Sequence, residues 1–179
     1  MSNIFLISDT HFGHDNILKF TIDEDGTLLR PGFANAEEMD QHMVDMWNKT
    51  VGIKDKVYHL GDVTMHHKHL PILDRLNGEK VLIKGNHDTG KISQYLKYFK
   101  DVRGTHQLDR LLLSHIPIHP ASLSRWRANV HGHLHSNEVM RSNDVVFDRV
   151  DKRYLCVSVE RIKYTPSYLE EVNACLNLR

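Results

Sequence analysis

Cysteine is scarce in this chain, and long apolar runs are absent. The 179 residues include two cysteines, Cys156 and Cys175, which lie far apart and form no C-x-x-C pattern. This excludes a disulfide-rich fold, and we expect both side chains to be buried, reduced and packed as small hydrophobic residues. The apolar stretch at residues 4–7 is too short for the core of a signal peptide, and no segment approaches a membrane span. We therefore expect a cytoplasmic protein with no membrane partner.

An excess of charge of either sign is also missing. Lysine plus arginine and aspartate plus glutamate each number 23, so the net charge is zero when histidine is neutral. Bulk electrostatic attraction to nucleic acids or to a membrane surface is therefore not expected. A local basic patch is still compatible with this composition.

Repeats, low-complexity segments and linkers are absent too, which predicts a single domain over residues 1–179. Short apolar runs alternate with helical patterns, and this alternation favours an α/β fold. Strands buried on both faces are predicted at 4–8, 56–60, 80–84 and 110–114. Further strands are predicted at 127–131, 145–147 and 155–159.

Amphipathic helices are predicted between these strands. Residues 36–49 carry a stripe of Met and Trp side chains typical of a core-facing helix, with Asn35 as its N-cap and Glu38 completing a capping box. Shorter apolar stripes predict helices at 70–77 and 92–99.

Two further segments follow from turn and helix-start signals. Pro166 is expected at the first position of a last helix that buries Leu169, Val172 and Leu176. Residues 21–34, with Asp25-Gly26 at the tip, predict an irregular hairpin or lid.

Histidine is abundant, with 14 residues, and several histidines directly follow predicted strands. The carboxyl ends of strands in an open α/β sheet converge on one edge, where ligands bind. We therefore expect the polar clusters after five strands to meet in space: Asp9-Thr10-His11, Gly61-Asp62, Gly85-Asn86-His87-Asp88, His115, and Gly132-His133-Leu134-His135.

The side chains in these clusters are of metal-binding types. The candidate ligands are Asp9, His11, Asp62, Asn86, His115, His133 and His135. Carboxylate, imidazole and amide oxygen suit Mn²⁺, Fe, Zn²⁺ or Ni²⁺ better than soft-ligand metals, and manganese is our first expectation. There are more of them than one ion requires, and with Asp62 shared they divide into two sets of four. The sequence thus predicts a site for two divalent ions.

The order of the clusters resembles the signature of the calcineurin-like metallophosphoesterase superfamily. The matching segments are DTH, GD, GNHD, SH and GHLH, spread over residues 9–135. The small size and the segment VSVERIKYTP are similar to the compact stand-alone phosphoesterases of bacteria and phages. The resemblance implies two stacked mixed β-sheets flanked by helices, an α/β/β/α sandwich with a two-metal site at one sheet edge.

The same resemblance implies a role for each matching residue. The first ion would be held by Asp9, His11, Asp62 and His135. The second would be held by Asp62, Asn86, His115 and His133, so that Asp62 bridges the two. His87 matches the catalytic histidine of the superfamily that binds no metal, and Asp88 matches the acid that orients it.

The implied chemistry is phosphoester hydrolysis. Two ions lower the pKa of a water between them and hold the phosphoryl oxygens, and protonated His87 would stabilise charge or protonate the leaving oxygen. We expect a phosphodiesterase acting on a nucleotide or another small phosphoester. The alternatives are a nuclease with the same chemistry, which the neutral charge disfavours, a phosphomonoesterase, and a non-catalytic interaction module, which would be expected to lack ligands or His87.

Other polar residues leave more than one interpretation open. His14, Arg125 and Arg127 are candidate substrate contacts, and an exposed turn explains the two arginines equally well. Arg30 is either a lid contact or structural. His59 is expected to be a hydrogen-bonded core residue, and the tract HHKH at 66–69 a solvated loop.

Overall fold

Two mixed β-sheets and several short helices form the protein in a computed structural model, which describes residues 2–22, 25–141 and 149–177. The strands are β1 (Ile4–Ile7), β2 (Lys56–His59), β3 (Glu79–Ile83), β4 (Asp101–Arg103), β5 (Thr105–Leu108), β6 (Leu111–Ser114), β7 (Ala128–His131), β8 (Tyr154–Cys156) and β9 (Ser167–Tyr168). The first sheet has the order β4-β3-β2-β1-β9 and the second the order β5-β6-β7-β8. The helices are α1 (Ala36–Thr50), α2 (Ile92–Tyr95) and α3 (Leu169–Cys175), with 3₁₀ helices at Asp15–Lys19, His67–Arg75 and Pro120–Arg125. The predicted α/β class with two mixed sheets is confirmed.

The register of the parallel strands brings their carboxyl ends to one level. Ile7 of β1 lies opposite His59 of β2, and His59 lies opposite Leu82 of β3. The three neighbouring strands therefore end at the same edge of the sheet. A predicted polar cluster begins within a few residues of each of these ends. In the second sheet, β6 and β7 are also parallel, and both are fully buried.

Two apolar clusters pack the sheets. One joins side chains of both sheets, including Leu6 and Ile83 of the first sheet and Leu113 and Val130 of the second. The other joins the first sheet to α1 and the segment 70–76. The strands are thus buried on both faces, as their continuous apolar sequence predicts.

Helix α1 forms at the predicted residues with Asn35 as its N-cap. Asn35 accepts a hydrogen bond from the backbone N–H of Glu38 at 2.9 Å. The Glu38 side chain, however, accepts the N–H of Ala34, one residue before the N-cap, so the predicted capping box is shifted. Met39, Met43 and Trp47 are buried against the first sheet, which confirms the core role of the stripe.

The next two helical predictions are correct only in part. Residues 67–75 form a 3₁₀ helix instead of an α-helix. Pro71 lies inside it, and proline removes a backbone donor and disfavours α geometry in the residue before it. Helix α2 is only four residues long, and Ile92 and Leu96 are exposed, so half of the predicted stripe does not face the core.

The C-terminal prediction is wrong at its start. Ser167–Tyr168 pairs with β1 as an antiparallel strand, and α3 begins at Leu169, so Pro166 is not the first helical residue. Val172 is buried as expected. The strand predicted at 155–159 ends at Cys156, and the one predicted at 145–147 lies outside the described residues.

The described part of segment 21–34 includes an irregular hairpin. Thr21 and Leu28 form an isolated antiparallel bridge, and the N–H of Ile22 donates to the carbonyl of Thr27 at 2.9 Å. The hairpin prediction is therefore confirmed for these residues.

Cysteine burial and helix length bear on two further expectations. Both cysteines are free, but only Cys156 is buried and Cys175 is exposed, so the expectation for Cys175 is wrong. Among the helices of the described ranges, none combines the length and apolarity required to cross a membrane.

Candidate metal centre

Backbone geometry singles out the residues that follow the strands. Five candidate ligands have left-handed backbone: Asp9 (φ 57°), His11 (48°), Asp62 (57°), His133 (69°) and His135 (51°). For residues other than glycine this conformation costs about 1–2 kcal/mol each. Such residues cluster at functional sites because the surrounding structure holds them there.

A first group consists of Asp9, His11 and His135. One ligand atom of each lies within 4.8 Å of the others. Asp9 is fully buried and fixed from the protein side: its carboxylate accepts the N–H of His133 at 3.0 and 3.1 Å and the hydroxyl of Ser158 at 2.7 Å. Its position is therefore set independently of any ion.

His11 is the least satisfied residue of this group. Neither ring nitrogen has a hydrogen-bond partner among the described residues, although both are buried. Burial holds the pKa of His11 well below its usual value, with the positive charge of Arg30 acting in the same direction. A neutral, buried imidazole without a partner fits a metal ligand, since unpaired buried polar groups are costly.

A second group consists of Asp62, His115 and His133, again with ligand atoms within 4.8 Å of one another. His115 Nδ1 lies 2.8 Å from the carbonyl of Leu60, so Nδ1 carries a proton and donates it there. Its Nε2 lies 2.8 Å from Asn86 Oδ1 and 3.3 Å from Asp62 Oδ2. A bare nitrogen lone pair facing two oxygens needs a proton or a cation between them.

The pKa of His115 is raised by the same acidic surroundings. Burial alone would lower it, but the hydrogen bond to Asp62 and the charges of Asp9 and Asp62 outweigh burial and raise it. In the absence of a metal, a proton on Nε2 satisfies the oxygens. A divalent ion would satisfy them more fully, because it accepts all the lone pairs at once.

Asp62 lies between the two groups. Its Oδ2 is 3.6 Å from His11 Nε2 and 3.3 Å from His115 Nε2. Burial would raise the pKa of Asp62, but hydrogen bonds from His115 and from the backbone of His87 lower it to about 2. Asp62 is thus an ionised carboxylate with one oxygen facing a histidine of each group.

Glycine allows the loops to approach this carboxylate. A Cβ on Gly85 would lie 2.5 Å from the backbone nitrogen of Asp62, so no side chain fits there. The GNHD loop therefore packs directly against the Asp62 turn.

His87 and His14 lie beside the centre without belonging to either group. The His87 ring is half-buried and 5.5 Å from the His11 ring, and the His14 ring is 5.9 Å from it. Both imidazoles therefore lie next to the first group, and their roles toward a substrate stay predictions.

Asp88 lies under the two loops. Its buried carboxylate accepts the backbone N–H groups of Asp62 (2.9 Å), Val63 (3.1 Å) and Gly85 (2.8 Å). Both oxygens are thus engaged with backbone, and no hydrogen bond joins Asp88 to the His87 ring among the described contacts. Asp88 holds the two loops together, and its orienting role toward His87 stays a prediction.

Arg125 and Arg127 lie at the opposite end of β7 from the candidate ligands, and their substrate contacts stay predictions. The N–H of Arg127 donates to the carbonyl of Arg110, so Arg127 lies at the amino end of β7, before the strand. The ligands follow the strand, roughly 20 Å away at about 3.3 Å per residue. Arg125 lies two residues upstream, and both arginines are exposed.

Arg30 and His59 are structural. Arg30 is buried, and its guanidinium donates to the carbonyls of Asp9 (2.5 Å) and Thr10 (3.0 Å), so it is not a lid contact.

His59 is buried and hydrogen-bonded to Thr10 and to the N–H of Gly61, as expected of a core histidine. Burial lowers its pKa to about 3. In the tract 66–69, the first three residues are exposed as expected of a solvated loop, but residues 67–69 belong to the 3₁₀ helix.

Sequence reasoning missed Glu160 and Ser158. Ser158 donates to Asp9, and Glu160 Oε1 lies 3.0 Å from His135 Nδ1. Glu160 directly follows the predicted strand 155–159, as the other clusters follow theirs, whereas Ser158 lies within that predicted strand. They were overlooked because they fall outside the histidine motifs.

Comparison with known proteins gives relatives of similar length. No family model matches the chain. It is 36% identical to the uncharacterized protein MJ1445 of Methanocaldococcus jannaschii, over 95% of this chain and 89% of that protein. It is 29% identical to the Gene 66 protein of Mycobacterium phage D29, over 79% of this chain and 82% of that protein.

A solved structure is similar over nearly the whole chain. It is the crystal structure of the protein of unknown function AQ665 from Aquifex aeolicus, with a TM-score of 0.69 and 26% sequence identity. The similarity covers 97% of this chain and 99% of that one. Given also the identity and coverage of the archaeal relative, this chain belongs to the family of the uncharacterized protein MJ1445.

Proposed function

We propose that the protein is a phosphoesterase that requires two divalent metal ions, with the α/β/β/α sandwich of the calcineurin-like metallophosphoesterases. The observation that carries this proposal is the position of Asp62 Oδ2, within 3.6 Å of His11 Nε2 and 3.3 Å of His115 Nε2. One carboxylate oxygen facing two histidine groups is the arrangement that a pair of ions requires. The unpaired nitrogens of His11 support it independently.

The residues divide into holding and reacting roles. Asp9, His11, Asp62 and His135 would hold one ion, and Asp62, Asn86, His115 and His133 the other. When bound, two such ions would neutralise phosphoryl charge and make water a stronger nucleophile near neutral pH. Manganese is the first candidate, because the donors are carboxylate, imidazole and amide oxygen.

We propose that His87 is the proton donor of the reaction. Its ring lies beside the centre, and its backbone N–H donates to Asp62 Oδ1 at 2.9 Å, which fixes the residue relative to the shared carboxylate. A protonated imidazole there would stabilise negative charge on the phosphoryl group or protonate the leaving oxygen. His14 is proposed to contact a phosphoryl oxygen, since its ring lies 5.9 Å from that of His11.

Small phosphodiesters are the proposed substrates. A phosphomonoester dianion needs more compensating positive charge than a diester monoanion. The three candidate arginines do not supply it, since Arg30 is engaged by protein groups and Arg125 and Arg127 lie at the amino end of β7. A nucleotide or aryl diester therefore fits the centre better than a monoester.

The test is a substrate screen with Mn²⁺ at neutral pH. We expect bis(p-nitrophenyl) phosphate to be hydrolysed with a higher kcat/KM than p-nitrophenyl phosphate. Faster cleavage of monoesters would make the protein a phosphatase, and preferential cleavage of oligonucleotides would make it a nuclease. No hydrolysis of any of these would leave the non-catalytic alternative.

His87→Ala separates chemistry from metal binding. We expect kcat to fall by about 10²–10⁴, as for loss of a general acid, with metal content and Tm nearly unchanged. His42→Ala, which removes an exposed histidine of α1, is the matched control and should retain activity. Full activity of His87→Ala would remove His87 from the mechanism.

A further inference from the structure

Glu160 contacts one histidine of the centre from behind. Its Oε1 lies 3.0 Å from Nδ1 of His135, and its side chain is 5% exposed. His135 Nδ1 is therefore the protonated nitrogen, and its Nε2 lone pair is left for a ligand role. Glu160 belongs to neither of the two ligand groups.

Arg30 holds Glu160 in this position. The Nε of Arg30 donates to the same Oε1 at 2.7 Å, while its other nitrogens donate to the carbonyls of Asp9 and Thr10. A fully buried arginine is costly unless every donor finds a partner. The oxygen partners found here belong to the Asp9 loop and to Glu160, with Met39 Sδ of α1 as a further acceptor at 3.4 Å, so Arg30 fixes the distance between the loop and Glu160.

In the second group, no carboxylate of the described residues is hydrogen-bonded to His115 Nδ1 in this way. The ring nitrogen of His115 that faces away from the centre donates to the uncharged carbonyl of Leu60. A carboxylate partner polarises an imidazole more strongly than a carbonyl does and makes it a better metal ligand. The two groups are therefore unequal, although their ligand types are alike.

We propose that Glu160, braced by Arg30, is a positioning residue for the ion held by Asp9, His11 and His135, and that this ion is the more tightly bound of the two. This proposal depends on the proposed function in one respect, namely that two ions bind. Glu160 itself contacts neither substrate nor metal in the proposed arrangement.

The test is titration of the metal-free protein with Mn²⁺, followed by calorimetry and elemental analysis. We expect two ions per wild-type chain with different affinities. Glu160→Ala should weaken the tighter one by about 10–100-fold and leave the weaker one unchanged. Glu160→Gln keeps the shape and an acceptor oxygen, so it should give an intermediate loss. Glu138→Ala, which removes an exposed carboxylate paired with Arg161, is the control.

The outcomes separate this inference from the proposed function. Unchanged affinities in both Glu160 variants, equal loss of both ions, or fewer than two ions in the wild type would each overturn it. A Tm of metal-free Glu160→Gln within a few degrees of wild type excludes general unfolding as the cause of lost binding. A wild-type protein that binds two unequal ions but hydrolyses no phosphoester would refute the proposed function and leave the role of Glu160 standing.

Discussion

At the residue scale, Asp62 is the side chain on which both halves of the centre depend. One oxygen faces His11 and His115, and the other accepts the N–H of His87. Asn86, in contrast, contacts only the second half, through His115. These unequal positions make the two residues a matched pair for mutation.

Asp62→Asn should weaken binding of both ions, whereas Asn86→Ala should weaken mainly the second. The reason is that the amide removes the shared negative charge, while loss of Asn86 removes one neutral oxygen. Elemental analysis after Mn²⁺ reconstitution measures both effects. Finding at most one ion in the wild type under these conditions would contradict the two-ion site.

Asp40 gives a pH prediction away from the ligands. Its carboxylate accepts the N–H of Gly13, and burial raises its pKa to about 7 from an ordinary 3.8. The folded state therefore holds a proton that the unfolded state releases between these values. The free energy of unfolding should fall as the pH rises from about 4 to 7.

Asp40→Asn removes this titration and keeps an acceptor for Gly13. We expect the variant to gain stability relative to wild type as the pH rises, by about 1–2 kcal/mol at pH 8, which allows for partial exposure of the side chain. Urea unfolding at pH 5 and pH 8 measures this. Asp45→Asn, an exposed position of the same helix, should show no such trend, and a parallel result for the two variants would refute the assignment.

At the scale of elements, the loops after β2 and β3 are packed backbone against backbone. Gly85 has no room for a Cβ because the Asp62 turn lies against it, whereas a Cβ on Gly104 would meet no atom within 4 Å. The contrast shows that the first glycine is required by contact and the second is not.

Gly85→Ala should displace the Asp62 turn, lower stability by about 1–3 kcal/mol and weaken Mn²⁺ binding. Gly104→Ala should leave both properties unchanged. Thermal unfolding and metal titration of the two variants give the comparison. Normal Mn²⁺ affinity in Gly85→Ala would mean that the loops can separate without disturbing the centre.

The elements also show what sequence could and could not predict. Asp9 and Asp62 follow strands of the first sheet and His115 follows β6 of the second, so only the first two could be placed together on the ground that parallel strands of one sheet share an edge. The strand Ser167–Tyr168 could not be predicted, because its two residues form a strand only by pairing with β1. Arg127 lies just before β7, at the start of the strand predicted at 127–131, so its position at the amino end of the strand could be predicted.

At the scale of the whole molecule, the candidate centre connects the two sheets. Asp9, Asp62 and Asn86 follow strands of the first sheet, and His115, His133 and His135 follow strands of the second. Ions bound between them would bind the folded protein and not the unfolded chain. Their binding free energy would therefore add to the stability of the fold.

Mn²⁺ should accordingly raise the Tm relative to protein in EDTA. At 1,000 times the Kd, one ion adds about 4 kcal/mol, which for a chain of this size is on the order of 10 °C. Differential scanning calorimetry measures the shift. Asp62→Asn should lose most of it, and an equal shift in that variant would mean that the stabilising ion binds elsewhere.

The left-handed backbone of the five ligand residues has an evolutionary consequence. Glycine adopts this backbone without strain, but in place of Asp9 or Asp62 it would lose the hydrogen bonds that their carboxylates accept. A lineage that lost the need for metal would therefore be expected to replace His11 first, since its ring nitrogens have no hydrogen-bond partner among the described residues, and to gain stability where packing permits. Retention of His11 in its left-handed position would then identify the members of the family that still use the centre, even where their overall sequence has diverged.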